Sequence, residues 1–107
     1  MPLDSLNNKQ LKHFRSIGHH LSPIIIIANG LNDNINSEID RALSDHELIK
    51  LKVHSNDREE KKALVHSICE ERNAKLVQLI GHVALIYKAA KKPNPKLSNI
   101  LRHMSTI

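Results

Sequence analysis

The stretch from Pro23 to Gly30, PIIIIANG, constrains the fold of this 107-residue chain more than any other. Four consecutive β-branched isoleucines lose side-chain freedom in a helix and suit the pleated geometry of a strand. Pro23 drives Ser22 out of the helical region, and Asn29-Gly30 supplies a bend in which positive φ is tolerated. The unbroken apolar run predicts a short strand buried on both faces and ending in a tight loop. After it, Asp33 to Asp45 places Ile35, Ile39, Ala42 and Leu43 on one stripe of a helix, with Asn32 or Asp33 as its cap. Strand, bend and helix N-terminus in succession direct backbone N–H groups outward, where an anion can sit.

The same periodicity arguments order the rest of the chain. From Ser5 to Leu21, a helical projection gathers Leu6, Leu11, Phe14, Ile17, Gly18 and Leu21 on one face and Lys9, Lys12, His13, Ser16, His19 and His20 opposite. In ELIKLKV (Glu47 to Val53), Ile49, Leu51 and Val53 alternate with Lys50 and Lys52, the pattern of a half-buried strand carrying two lysines. Asp57 and Glu60 fit a capping box ahead of a third helix whose stripe is Leu64, Val65, Ile68 and Cys69. The apolar segment beyond it divides at Gly81-His82 into two strands of an antiparallel hairpin. The expectation is a single α/β (α+β) domain of order α-β-α-β-α-β-β, with a mixed four-stranded sheet packed by helices. Residues 1–87 would form the domain. Residues 88–107 read as a basic, flexible tail with a short helical turn between Leu97 and Arg102.

Charge narrows the partners. The net charge is +5, and Lys88, Lys91, Lys92, Lys96 and Arg102 in the last segment face no acid there, so the body before it is balanced. Within that body, Ser5 to Ser22 holds Lys9, Lys12 and Arg15 without an acid, whereas the second helix is acidic through Glu38, Asp40 and Asp45. Segregation of this kind suits a polyanionic partner. The N-terminal residues show no apolar leader and the longest apolar run is too short to span a bilayer, which points to a cytoplasmic protein without a membrane partner. The single cysteine, Cys69, lies on an apolar stripe and reads as a buried thiol.

Catalysis finds no support. Glu59-Glu60 and Glu70-Glu71 are neighbours on a charged helix, and His66 and Ser67 are adjacent residues that point in different directions. No phosphate-binding or dinucleotide fingerprint occurs, so neither a cofactor nor a small-molecule substrate is expected. Of the eight histidines, His13 and His20 share a helix face with Lys9 but have no Cys or carboxylate partner at ligand spacing, and no metal is expected either. With Phe14 and Tyr87 as the Phe and Tyr content and no Trp, a base-stacking platform is also missing. Contacts to a nucleic acid would therefore run through backbone and shape.

LKHFRSIGHHLSPIIII, NGLNDNINSEIDRALSDHELIKLKV, DREEKKALV and VQLIGHVALIYK, in this order, resemble the YhbY-like family of bacterial CRM-domain proteins. The resemblance covers Asn8 to Tyr87, and HELIKLKV with the later DREEK is its most specific part. It implies a compact fold related to the C-terminal domain of a translation initiation factor, RNA binding, and association with ribosomal RNA of the large subunit or its precursor. It also implies a Gly-x-x-Gly loop, as in KH domains, between the first strand and second helix. Gly30 stands at the second glycine; the first falls on Ile27 or on Ala28, depending on the register, and is absent either way. The resulting candidate RNA-contacting set is Lys9, Lys12 and Arg15, the loop Ala28, Asn29 and Gly30, the strand lysines Lys50 and Lys52, and Lys91 and Lys92 of the tail. A monomer is favoured. The competing expectation is a protein-interaction adaptor that docks through the acidic second helix or the tail.

Overall fold

The structure is a computed structural model that describes residues 6–104. The elements are α1 (Asn8–Gly18), β1 (Pro23–Ile27), α2 (Asp33–His46), β2 (Leu48–Val53), α3 (Arg58–Arg72), β3 (Lys75–Ile80), β4 (Val83–Tyr87) and α4 (Asn99–Met104). The first seven follow the predicted order. Ser5, expected to open the first helix, and residues 105–107 of the expected tail lie outside the described residues. The helix itself starts after Asn7, whose side chain accepts from the Gln10 backbone N–H at 2.8 Å while Gln10 Oε1 accepts from the Asn7 N–H at 3.1 Å.

One mixed sheet runs in the order β1-β2-β4-β3, with β1 parallel to β2 and the remaining pairs antiparallel. α2 and α3 cover one face, where Ile39, Leu43, Val65 and Ile68 pack against Ile27, Leu51, Val53 and Ile86. α1 covers part of the other, where Phe14 and Ile17 meet Leu48, Val77 and Leu85. Gly18 brings α1 down onto β4; a Cβ there would stand 2.6 Å from Leu85 Cδ2. The α3 stripe buries Cys69 as expected, and burial pushes its thiol up to about 11 against the lowering charges of Arg72 and Lys75.

β1 is not buried on both faces. Ile25 and Ile27 are 6% and 1% exposed, but Ile24 and Ile26 are 51% and 57% exposed. β1 is an edge strand, and α1 packs over β2, β4 and β3 but not over it, so the isoleucines that point to its side of the sheet are left uncovered.

The segment after Tyr87 is not a free tail but a strap fastened to the turn between α2 and β2. Glu47, in that turn, is 5% exposed and takes φ +63°, outside the range that most side chains adopt. Its carboxylate accepts from Ser98 Oγ at 2.6 Å and from the Ala90 N–H at 2.8 Å, and its carbonyl accepts from the Lys88 N–H at 2.9 Å. Asn99 Nδ2 donates to the Leu48 carbonyl at 2.7 Å, and Ser98 is fully buried. These bonds seat α4 beside α1 and β2. Proximity to Glu47, after burial, also raises the Tyr87 phenol above its ordinary value.

Candidate nucleic-acid interface

β1 ends at Ile27, a core residue whose carbonyl accepts from the His54 N–H at 2.9 Å. Ala28, Asn29 and Gly30 follow as an exposed bend. Gly30 has φ +81° with nothing within 4 Å of where its Cβ would be, so a glycine is needed there for the dihedral and not for space. Among the described non-glycine residues only Glu47 and Asn73 take positive φ, so Ala28 accepts its place in the bend without left-handed strain. α2 begins next: Asn32 Oδ1 accepts from the Ile35 N–H at 2.8 Å, which leaves the N–H groups of Asp33 and Asn34 without intrahelical acceptors. Asp33 already places a carboxylate in that first turn, so an anion here would rely on the bend's amides more than on the helix terminus.

The bend lies at one end of an uncovered part of the sheet. The registers pair Ile26 with Lys52, Lys52 with Val83 and Val83 with Ile80, so these four residues cross all four strands on the side that α1 occupies. Ile26 and Ile80 are 57% and 64% exposed, and Lys52 and Val83 are half-buried. The row is an apolar strip with one ammonium in its middle, two residues along β1 from Ala28. Its end is flanked by His54 and His82, whose rings lie 6.1 Å apart, with His82 Nδ1 donating to the Val53 carbonyl at 3.0 Å.

The candidate cations divide into two groups. Lys9 and Lys12 are exposed and Arg15 half-exposed on α1, on the same side of the sheet as Lys50 and Lys52. Lys50 is partly committed, its Nζ donating to the Leu21 carbonyl at 3.0 Å and tying the α1–β1 turn to β2. Lys91 and Lys92 belong elsewhere. They border a depression with Asp40 and Ser44 of α2, near the C-terminal end of β4 and thus at the end of the sheet opposite the bend. The Glu47 bonds hold the strap there, which is the reason the expected single surface does not include them.

The acidic second helix is partly occupied within the protein. Arg72, 8% exposed at the end of α3, places its Nε 2.8 Å from Asp40 Oδ1 and donates through Nη2 to Asn36 Oδ1 at 2.9 Å. Asp45 lies 3.9 Å from Arg41. Among the described residues no three His, Cys, Asp or Glu side chains converge as a metal site, and no helix is long and apolar enough to cross a membrane. Sequence reasoning missed Ile26, Val83 and Ile80 as surface, because periodicity alone does not tell which strand is an edge or how far a helix extends over a sheet.

Comparison with known proteins agrees with this architecture. A family model described as the CRS1 / YhbY (CRM) domain matches residues 6–88. A Pseudomonas aeruginosa protein described as a probable RNA-binding protein is 48% identical over 99 residues, covering 92% of this chain and 95% of its own length. A Haemophilus influenzae protein described as an RNA-binding protein is 36% identical over 96 residues, covering 89% and 97%. A Staphylococcus aureus protein solved in solution superposes with a TM-score of 0.72 at 36% identity, over 88% of this chain and 98% of that one. With the family model spanning the whole sheet and its first three helices, this chain belongs to the CRS1/YhbY (CRM) domain family.

Proposed function

We propose that this protein is a non-enzymatic RNA-binding module of the cytoplasm that associates with large-subunit ribosomal RNA or its precursor and assists assembly of that particle. The observation that carries the reading is the junction of an exposed, glycine-dependent bend with an uncovered sheet face on which Lys52 lies beside Ile26. Phosphates would be met by the bend's amides and by Lys52, Arg15, Lys12 and Lys9, releasing counterions as they bind. The apolar residues of the strip would exclude water beneath the strand without reading base identity, in keeping with two Phe and Tyr side chains that are both occupied in packing, their ring centroids 4.6 Å apart. Family membership, and relatives described as RNA-binding, support RNA over another polyanion.

Cosedimentation with large-subunit precursors tests this. The wild-type protein should travel with the particle in low salt and leave it as salt is raised, and a Lys12→Glu/Arg15→Glu variant should be released at lower salt. Cosedimentation that ignores both salt and the α1 substitutions would mean that the particle is held through a protein contact, and the RNA reading would be abandoned.

A further inference from the structure

At the foot of β1 and β2, opposite the bend, a groove opens between the α1–β1 turn, the end of α2 and α4. Its walls bring together Lys50, Arg102, His20, His46 and His103, and none of the described residues that line it is acidic. The His20 and His103 rings stack with their planes 18° apart and their centroids 6.4 Å apart. His46 Nδ1 donates to the Leu97 carbonyl at 2.9 Å and His103 Nδ1 to the Asn99 carbonyl at 2.8 Å, which fixes both rings in place. The Lys50 ammonium and the Arg102 guanidinium thus face one opening with no acidic side chain among the described residues that line it, and an anion is drawn to that positive potential.

The fold commits structure to this arrangement. Arg102 and His103 come from α4, beyond the residues that match the family model. They reach the groove because Glu47 is buried at positive φ with its carboxylate on Ser98 and Ala90, and because Asn99 donates to Leu48. A buried carboxylate and a left-handed non-glycine residue are both unfavourable in isolation, so the position of α4 is specified against a cost. The groove also continues into the open face, since Ile24 lines it and Ile26 lies two residues further along β1.

We infer that this groove is a second phosphate-binding site, which holds a backbone phosphate of the same RNA strand whose neighbouring segment lies at the bend. The inference rests on the RNA-binding reading above. At about 3.3 Å per residue, the five residues of β1 separate the two contacts by roughly 16 Å, so a single strand running along the edge of the sheet reaches both. Lys50 and Arg102 supply the charge and the N–H donors for the phosphate oxygens, and Ile24 and Ile26 floor the path between the sites.

Two measurements on the full chain test the inference separately from the function it rests on. In the first, inorganic phosphate is titrated at constant ionic strength while the histidine ring signals are followed by NMR. Saturable shifts should appear at His20, His46 and His103, with the exposed His66 of α3, away from both the groove and the bend, as internal control; shifts at His66 equal to those of the three groove histidines would overturn the site. In the second, a large-subunit RNA fragment is titrated across a salt series. Arg102→Glu should weaken binding roughly three- to tenfold and lower the salt slope by about 1 to 2. Arg102→Gln should do the same to a smaller extent. Arg102 is exposed, so neither change removes a core contact. RNA binding unaffected by both variants would overturn the proposal even if phosphate titrates, because the groove would then serve free phosphate. If the wild-type protein fails to bind RNA at all, the proposed function falls on its own account, and the phosphate titration still reports on the groove.

Discussion

The two ends of the sheet are built by opposite means. At the Glu47 end, backbone strain, a buried carboxylate and bonds to Ser98, Ala90 and Leu48 define one arrangement of the strap and α4. At the bend end, Ala28, Asn29 and Gly30 are exposed and the space around Gly30 is empty. One end is specified by contacts within the chain, the other by dihedral preference alone. A bend left open to a partner has the second character, because side chains that close it against its own protein also close it to a ligand, whereas the latched end holds the groove beside α4 in one shape.

The contrast can be broken at several points. The largest effect belongs to the isoleucine run, where alternate positions should differ sharply. Ile27→Ala removes a side chain that is 1% exposed and should destabilise by about 2–5 kcal/mol. Ile26→Thr, at 57% exposure, should stay within about 0.5 kcal/mol in urea unfolding. Equal losses at the two sites would mean that the face we describe as open is covered. Next is the latch: Glu47→Ala leaves the Ser98 hydroxyl and the Ala90 N–H without their acceptor and should destabilise by about 1–3 kcal/mol. Amide exchange at Ser98 and Asn99 should accelerate with it, whereas the centre of β2 should exchange as before.

The bend should respond more mildly. Gly30→Ala meets no atom within 4 Å and should lose only about 1 kcal/mol, through its positive φ, while Gly30→Asn should lose less because Asn tolerates the left-handed region. A large loss for both would place hidden contacts at the bend. Smallest of all is the response of Cys69. With its thiol pushed up to about 11 by burial, it should resist a thiol reagent at pH 8 in the native protein and react on unfolding. Rapid native labelling would show that the packing of α3 against the sheet opens readily.

Much of the fold is legible from periodicity. The alternation in LIKLKV and the α2 stripe through Ile39 and Leu43 each fix an element and its buried side, and the split at Gly81-His82 fixes the hairpin turn. The exposure of Ile24 and Ile26 is not legible in the sequence, because an unbroken apolar run looks the same on an edge strand as in the centre of a sheet and only the placement of α1 distinguishes them. The strap was hidden for a different reason. It is held by single polar residues, Glu47, Ser98 and Asn99, whose bonds span 51 positions in sequence, and isolated polar residues carry no periodic signal. The bend was visible as Asn29-Gly30. Its neighbours across the sheet, Lys52, Val83 and Ile80, became neighbours only through strand register.

The central claim is that RNA lies on the uncovered face beside the bend and not on the strap lysines. The salt dependence of binding to a large-subunit RNA fragment tests it most directly, measured for the wild-type protein, Lys52→Glu, and Lys91→Glu/Lys92→Glu. The account predicts that Lys52→Glu weakens binding about tenfold and lowers the salt slope by about 1 to 2, while the strap variant changes either quantity far less despite reversing twice the charge. The contrary result, a strong loss from Lys91→Glu/Lys92→Glu with Lys52→Glu indistinguishable from wild type, would take the RNA off the uncovered face and onto the strap.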